Sequence, residues 1–289
     1  MENKSIAARV YFKFWRGNED KMRVMVITKK NLIISGILLA CILLSVVLST
    51  AMCDRHVNAL SEPDQYTVDC LAGKHKELPV YSVQREDKKI ALTIDAAWED
   101  DKTDFILEQL NKYNIKATFF LCGFWVEKYP EHVKAIAANG HEIGNHSLTH
   151  PHMNNQTAEQ ILDEIKQLDD RIEALCGKRS TIFRAPYGEY NDNVVTTVRS
   201  AGYEIVQWDI DTIDWKESRS AQTILDSVLP KLHPGCIILC HNNGFKIKEY
   251  LPMLIETAIS QGYEFVTVSE LLLGGNTLVD VNGVQKPAA

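Results

Sequence analysis

Seven short apolar runs recur between residues 90 and 268, and most are separated by stretches with helical periodicity. They are IALTI (90–94), ATFFL (117–121), HEIGN (141–145), TIFRA (181–185), EIVQW (204–208), CIILC (236–240) and EFVTV (264–268). Near-continuous apolar strands alternating with helices specify a parallel sheet covered on both faces. Ile106, Leu107, Leu110 and Tyr113 give one helical face, and Ile161, Ile165, Leu168, Ile172 and Leu175 another. The second helix opens on Thr157 with Gln160 three residues on, a capping box. The class is α/β, either a seven-stranded relative of the (β/α) barrel or an open doubly wound sheet.

The strand ends carry the chemistry. The first run ends on Asp95, the third on Asn145 and His146, the fourth in RAPYG, the fifth in DIDTIDW and the sixth on His241. In a parallel barrel the C-terminal strand ends form one face, and active sites are built there. His146 and His150 stand four apart, a spacing that places two imidazoles on one side of a turn and suits metal chelation. Two imidazoles and a carboxylate leave positions open for water and substrate. Such a donor set takes zinc, cobalt, iron or nickel, with zinc the first expectation. His132, His141, His152 and His233 read as surface or strand-end residues, and Asp209 as structural.

These motifs, in this order, resemble the polysaccharide deacetylases of the NodB-homology type, carbohydrate esterase family 4. The resemblance covers roughly Leu78 to Leu273 and implies a distorted (β/α)7 barrel. By position it implies that Asp95 is the general base and that His146 and His150 hold a divalent metal. Arg184 of RAPY would orient the base, with Asp211 of the DxxDW motif as its partner. Tyr187 would lend a backbone N–H to the oxyanion, and Trp215 would line the substrate site. His241 would be the general acid. Leu239, two residues earlier on the same strand face, would hold the acetyl methyl.

One position departs from the pattern. The family has a second acid after the base, as third metal ligand, and this chain has Ala96. Three arrangements are open. Glu99, Asp100 or Asp101 reaches back, Asp95 itself coordinates, or two histidines and water hold the metal. The family also commonly has an acid after the histidine of the last motif, where this chain has Asn242.

The chain ends set the context. Residues 1–30 carry eight Lys/Arg against three Asp/Glu, a net +5, so the rest must hold −12 to reach the total of −7. A remainder that acidic argues against nucleic acid as partner. Residues 31–52 contain no charge, and as a helix they reach about 33 Å, enough for a bilayer core. The expected organisation is a basic cytoplasmic segment (1–30), a transmembrane signal anchor (31–53), a linker (54–77), the catalytic domain (78–274) and a loose tail (275–289). The positive-inside rule then places the domain outside the membrane, secreted if the anchor is cleaved. The leading reading is an N-deacetylase of a cell-wall glycan, with peptidoglycan first. The alternatives are a family member that binds glycan without turnover, or an amidase on another small amide.

Overall fold

The computed structural model describes residues 10–14, 23–27 and 77–288, and contacts divide the chain into two units, residues 1–65 and 66–289. In the first unit, Val10–Phe14 (β1) and Arg23–Ile27 (β2) pair antiparallel, with Val10 opposite Ile27. The expected membrane span and nearly all of the linker lie outside the described residues. Among the described residues no helix is long and apolar enough to cross a membrane.

The second unit starts with Ser82–Val83 (β3) and then builds a curled, wholly parallel half-barrel around Lys89–Ala96 (β4). Its other strands are Thr118–Leu121 (β5), Glu142–Asn145 (β6), Ile182–Phe183 (β7), Glu204–Ile205 (β8), Ile210–Asp211 (β9), Ile237–His241 (β10) and Glu264–Val266 (β11). The order β8-β7-β6-β5-β4-β10-β9 makes most sequence neighbours spatial neighbours, as in a barrel wall rather than a doubly wound sheet. β11 pairs with the first half of β4. All seven expected strands form. An eighth, β9, spans only two residues, too short for an apolar pattern to announce it.

Side-chain alternation on β4 divides two environments. Ile90, Leu92, Ile94 and Ala96 enter the outer apolar cluster, with Leu107 and Leu110 of Thr103–Lys112 (α1). Ala91 belongs to the inner cluster with Phe120 and Ile237. Thr93 and Asp95 follow on that inner face. The outer layer continues with Gly123–Lys128 (α2), Pro130–Ala138 (α3), Ala158–Cys176 (α4), Asp192–Ser200 (α5), Ala221–Val228 (α6), Ile247–Ser260 (α7) and Val268–Leu271 (α8). α4 opens with the expected box: Gln160 N–H donates to Thr157 Oγ1, and Thr157 N–H donates to Gln160 Oε1 at 2.8 Å. Such a cap is worth about 1 kcal/mol.

The last residues are not a loose tail. Thr277–Val279 (β12) and Val284–Pro287 (β13) form a hairpin, and β13 pairs with β3. Asp280 Oδ1 accepts from the N–H groups of Asn282 and Val284. Gly283, at φ +75°, closes an Asn-Gly turn against the Tyr81 ring.

Candidate active site

β4 and β10 set the centre of the site. They run in parallel register with His241 opposite Asp95 and Leu239 opposite Thr93, so base and acid candidates emerge at one level. Asp95 is 6% exposed. Its Oδ1 accepts from Arg184 Nη1 at 2.7 Å, and its Oδ2 lies 3.7 Å from His146 Nε2. Burial pushes the Asp95 carboxyl up, but Arg184, His146 and His241 outweigh it and hold the group below the usual carboxylate value.

Arg184, fully buried, sits just beyond β7 and is bonded through all three of its nitrogens. Nη1 also donates to Thr93 Oγ1 at 2.9 Å, and Nη2 donates to the Gln207 carbonyl at 3.0 Å. The guanidinium lies over the Phe120 ring, 4.0 Å from its centroid. Gly144 makes room for that ring, because a Cβ there would fall 2.5 Å from Phe120 carbons. The expected Arg184–Asp211 hydrogen bond is not formed. Asp211 Oδ1 instead accepts the Ile213 N–H at 2.7 Å, and burial raises the Asp211 carboxyl. The guanidinium is turned instead to Asp95, Thr93 and the carbonyls of Val206 and Gln207. Asp211 reaches Arg184 only through its longer-range field.

His241 is oriented by Asp214. Its Nδ1 lies 2.7 Å from Asp214 Oδ1, its backbone N–H donates to Asp214 Oδ2 at 3.1 Å, and Tyr250 O–H donates to the same oxygen at 2.6 Å. Burial pulls the His241 imidazolium down, but Asp214 more than compensates and raises it above the ordinary histidine value. Asp214 thus does the orienting of His241 in this chain, where Asn242 cannot. Its place in DxxDW was the available signal; Tyr250 had none.

The two histidines sit on a strained turn after β6. Ser147 has φ +65° and His150 φ +56°, left-handed values that cost a non-glycine residue about 1 kcal/mol or more. Asn145 fixes the turn from below. Its amide donates to Asp169 Oδ1 at 2.8 Å and to the Ile165 carbonyl, and its carbonyl accepts the Ser147 N–H at 2.9 Å. His146 Nδ1 donates to the Arg184 carbonyl at 2.8 Å, which leaves the Nε2 lone pair toward Asp95. His150 Nδ1 is buried with no partner, and the two rings stand 5.0 Å apart. Burial lowers both imidazoles, His150 to about 3, so both are neutral, the form that binds metal. The pair therefore fits a divalent cation.

The third ligand is missing. Ala96 is fully buried in the outer apolar cluster. None of the three nearby acids takes its place. Asp100 Oδ2 lies 2.5 Å from His132 Nδ1, Asp101 is exposed beside Lys102, and Glu99 is exposed with its carbonyl held by Trp125 and Asn242. Among the described residues no three His, Cys, Asp or Glu side chains converge on one metal position.

Leu239 is buried, while Tyr187 and Trp215 are more than half exposed at the rim. Tyr187, at φ +60°, packs its ring edge-on to His150 and stacked on His152, both at 4.6 Å. Trp98 joins the rim, also exposed, 5.7 Å from His150.

Residues 82–206 match the sequence pattern of the polysaccharide deacetylase family. The peptidoglycan-N-acetylmuramic acid deacetylase PdaA of Bacillus subtilis is 31% identical over 195 residues, 66% of this chain and 74% of that protein. Among solved structures, the Bc1960 peptidoglycan N-acetylglucosamine deacetylase superposes with a TM-score of 0.65 at 33% identity, covering 70% of this chain and 96% of that one. BA3943 from Bacillus anthracis, described as a family 4 pseudoenzyme, superposes at 0.64 and 34% identity, covering 69% and 70%. This chain belongs to the polysaccharide deacetylase family.

Proposed function

We propose that this protein is a metal-dependent N-deacetylase acting on the acetylated amino-sugars of a cell-wall glycan, most specifically peptidoglycan. The observation that carries the reading is the electrostatic division between two facing residues. Asp95 is biased toward its ionised form and His241 toward its protonated form, in register on adjacent strands. Amide hydrolysis needs that division. Asp95 takes a proton from the attacking water as oxygen bonds to the acetyl carbon. His241 gives a proton to the amine as the C–N bond breaks, leaving acetate and a free amino-sugar. Tyr187 N–H and the Leu239 side chain would receive the carbonyl oxygen and the methyl group. A divalent cation on His146 and His150 would polarise the carbonyl and make the water more acidic. The uncharged run at residues 31–52 supports an anchored, extracytoplasmic domain.

Acetate release from peptidoglycan and N-acetylglucosamine oligomers, with and without chelator and added metals, tests the assignment. Acetate that appears with metal and stops with chelator is expected. Ala96 favours a second reading, glycan binding without turnover. Retained glycan with no acetate under any metal would select it.

The alkaline limb of activity belongs to His241. Its raised value keeps the acid protonated above pH 6.5, and activity falls as pH rises through it. Asp214→Asn removes the raising partner, so this limb should move to lower pH. Gly244→Ala should move it the same way without touching a charge. A Cβ at Gly244 would stand 2.1 Å from Asp214 Oδ2, so the carboxylate must shift from His241. The overpacking should cost about 1–3 kcal/mol. pH–rate profiles of both variants check this, and an unmoved limb in Asp214→Asn counts against the assignment.

A further inference from the structure

A cavity lies at the end of the half-barrel opposite the candidate active site, where β5 and β6 begin. His141 precedes β6 and His146 follows it, so about 16 Å of strand separates them. The cavity measures about 360 Å³, and His141, Ile143, Ile172, Cys176, Lys178 and Thr181 are among the residues lining it.

His141 is 6% exposed, and its tautomer is set by its neighbours. Ala117 N–H donates to Nδ1 at 3.3 Å, so the ring proton sits on Nε2. Burial, together with Lys116, holds this imidazole near 4, so it stays neutral at ordinary pH. Nε2 is buried and without a partner. A buried N–H left unpaired costs about 1–3 kcal/mol, so the group calls for an acceptor.

The charges at the cavity narrow that acceptor. Arg179 is committed to Asp170 and Glu173. Glu142 accepts from Thr118 Oγ1 and the Ser269 N–H. Lys178, exposed, makes no ion pair among the described residues and is the free cation of the lining. One neutral donor, one free ammonium and a nearby carboxylate suit a monoanion better than a phosphate dianion. Ile143 and Ile172 add an apolar wall.

We propose that this cavity binds a small organic monocarboxylate, its oxygens on His141 Nε2–H and Lys178 and its short apolar part against Ile143 and Ile172. The site is separate from the catalytic face and does not depend on the proposed activity.

The test follows histidine ring resonances of the full-length protein, isotopically labelled, during titration with propionate and, separately, inorganic phosphate. The His141 signals are identified from their absence in His141→Phe, or from their low pKa should that variant not fold. Lys178→Ala changes an exposed side chain and keeps the fold. Saturable movement of the His141 signals by propionate is expected, with affinity about tenfold weaker in Lys178→Ala, equal to about 1.4 kcal/mol. No saturable movement, equal affinity in Lys178→Ala, or tighter binding of phosphate overturns the proposal.

Discussion

Replacing Arg184 by methionine should lower folding stability by about 3–5 kcal/mol and abolish acetate release. The guanidinium is fully buried, bonded to Asp95, Thr93 and two backbone carbonyls, and stacked on Phe120. Methionine fills much of the volume but strands the Asp95 carboxylate without its main counter-charge. Burial then goes unopposed by Arg184, and Asp95 shifts toward the protonated form, which cannot accept a proton. Arg184→Lys should recover only part of either loss, because one ammonium cannot serve four acceptors in the plane of a fork. Urea unfolding alongside acetate release measures both effects. A midpoint unchanged in Arg184→Met would mean that the pair is not the keystone the geometry makes it.

Asp95→Asn should reduce turnover by about 10²–10⁴-fold, the range for loss of a general base. The variant also separates two arrangements left open by Ala96. If Asp95 acts as base, metal content measured on the purified variant stays at the wild-type level, since His146 and His150 are untouched. If metal is lost together with activity, Asp95 is itself a ligand, and the proton must go elsewhere. Retained turnover within tenfold would remove Asp95 from the chemistry altogether.

Much of this was readable from the chain because the two periodicities are clean. The strand runs are bounded by turn residues, and each polar strand end stands where an apolar pattern breaks. That logic located Asp95, His146, His150 and His241 on one face. It failed where partnership depends on packing across the barrel. Arg184 could have faced either Asp95 or Asp211, and only the packing across the barrel turns it to Asp95. Asp214 stood in a quoted motif, yet its role depends on β10 lying beside it. Tyr250, deep in α7, looked like any core aromatic. The acids after Ala96 looked close in sequence, but α1 and His132 draw Asp100 away. The terminal hairpin was legible after all, in the Asn282-Gly283 pair.

The unequal anchoring of the strands has a consequence for how the molecule opens. β4 is bonded to β10 along one edge, while β5 and β11 share the other from end to end. β7, β8 and β9 are two residues each. Amide protons of β4 are therefore released to solvent only by global unfolding, whereas the short strands can detach in partial excursions. Asp95 rides on the most protected segment and Arg184 just past one of the least. Partial opening is therefore expected to part the ion pair from the arginine side, so acetate release should be lost at a lower temperature than the global melt.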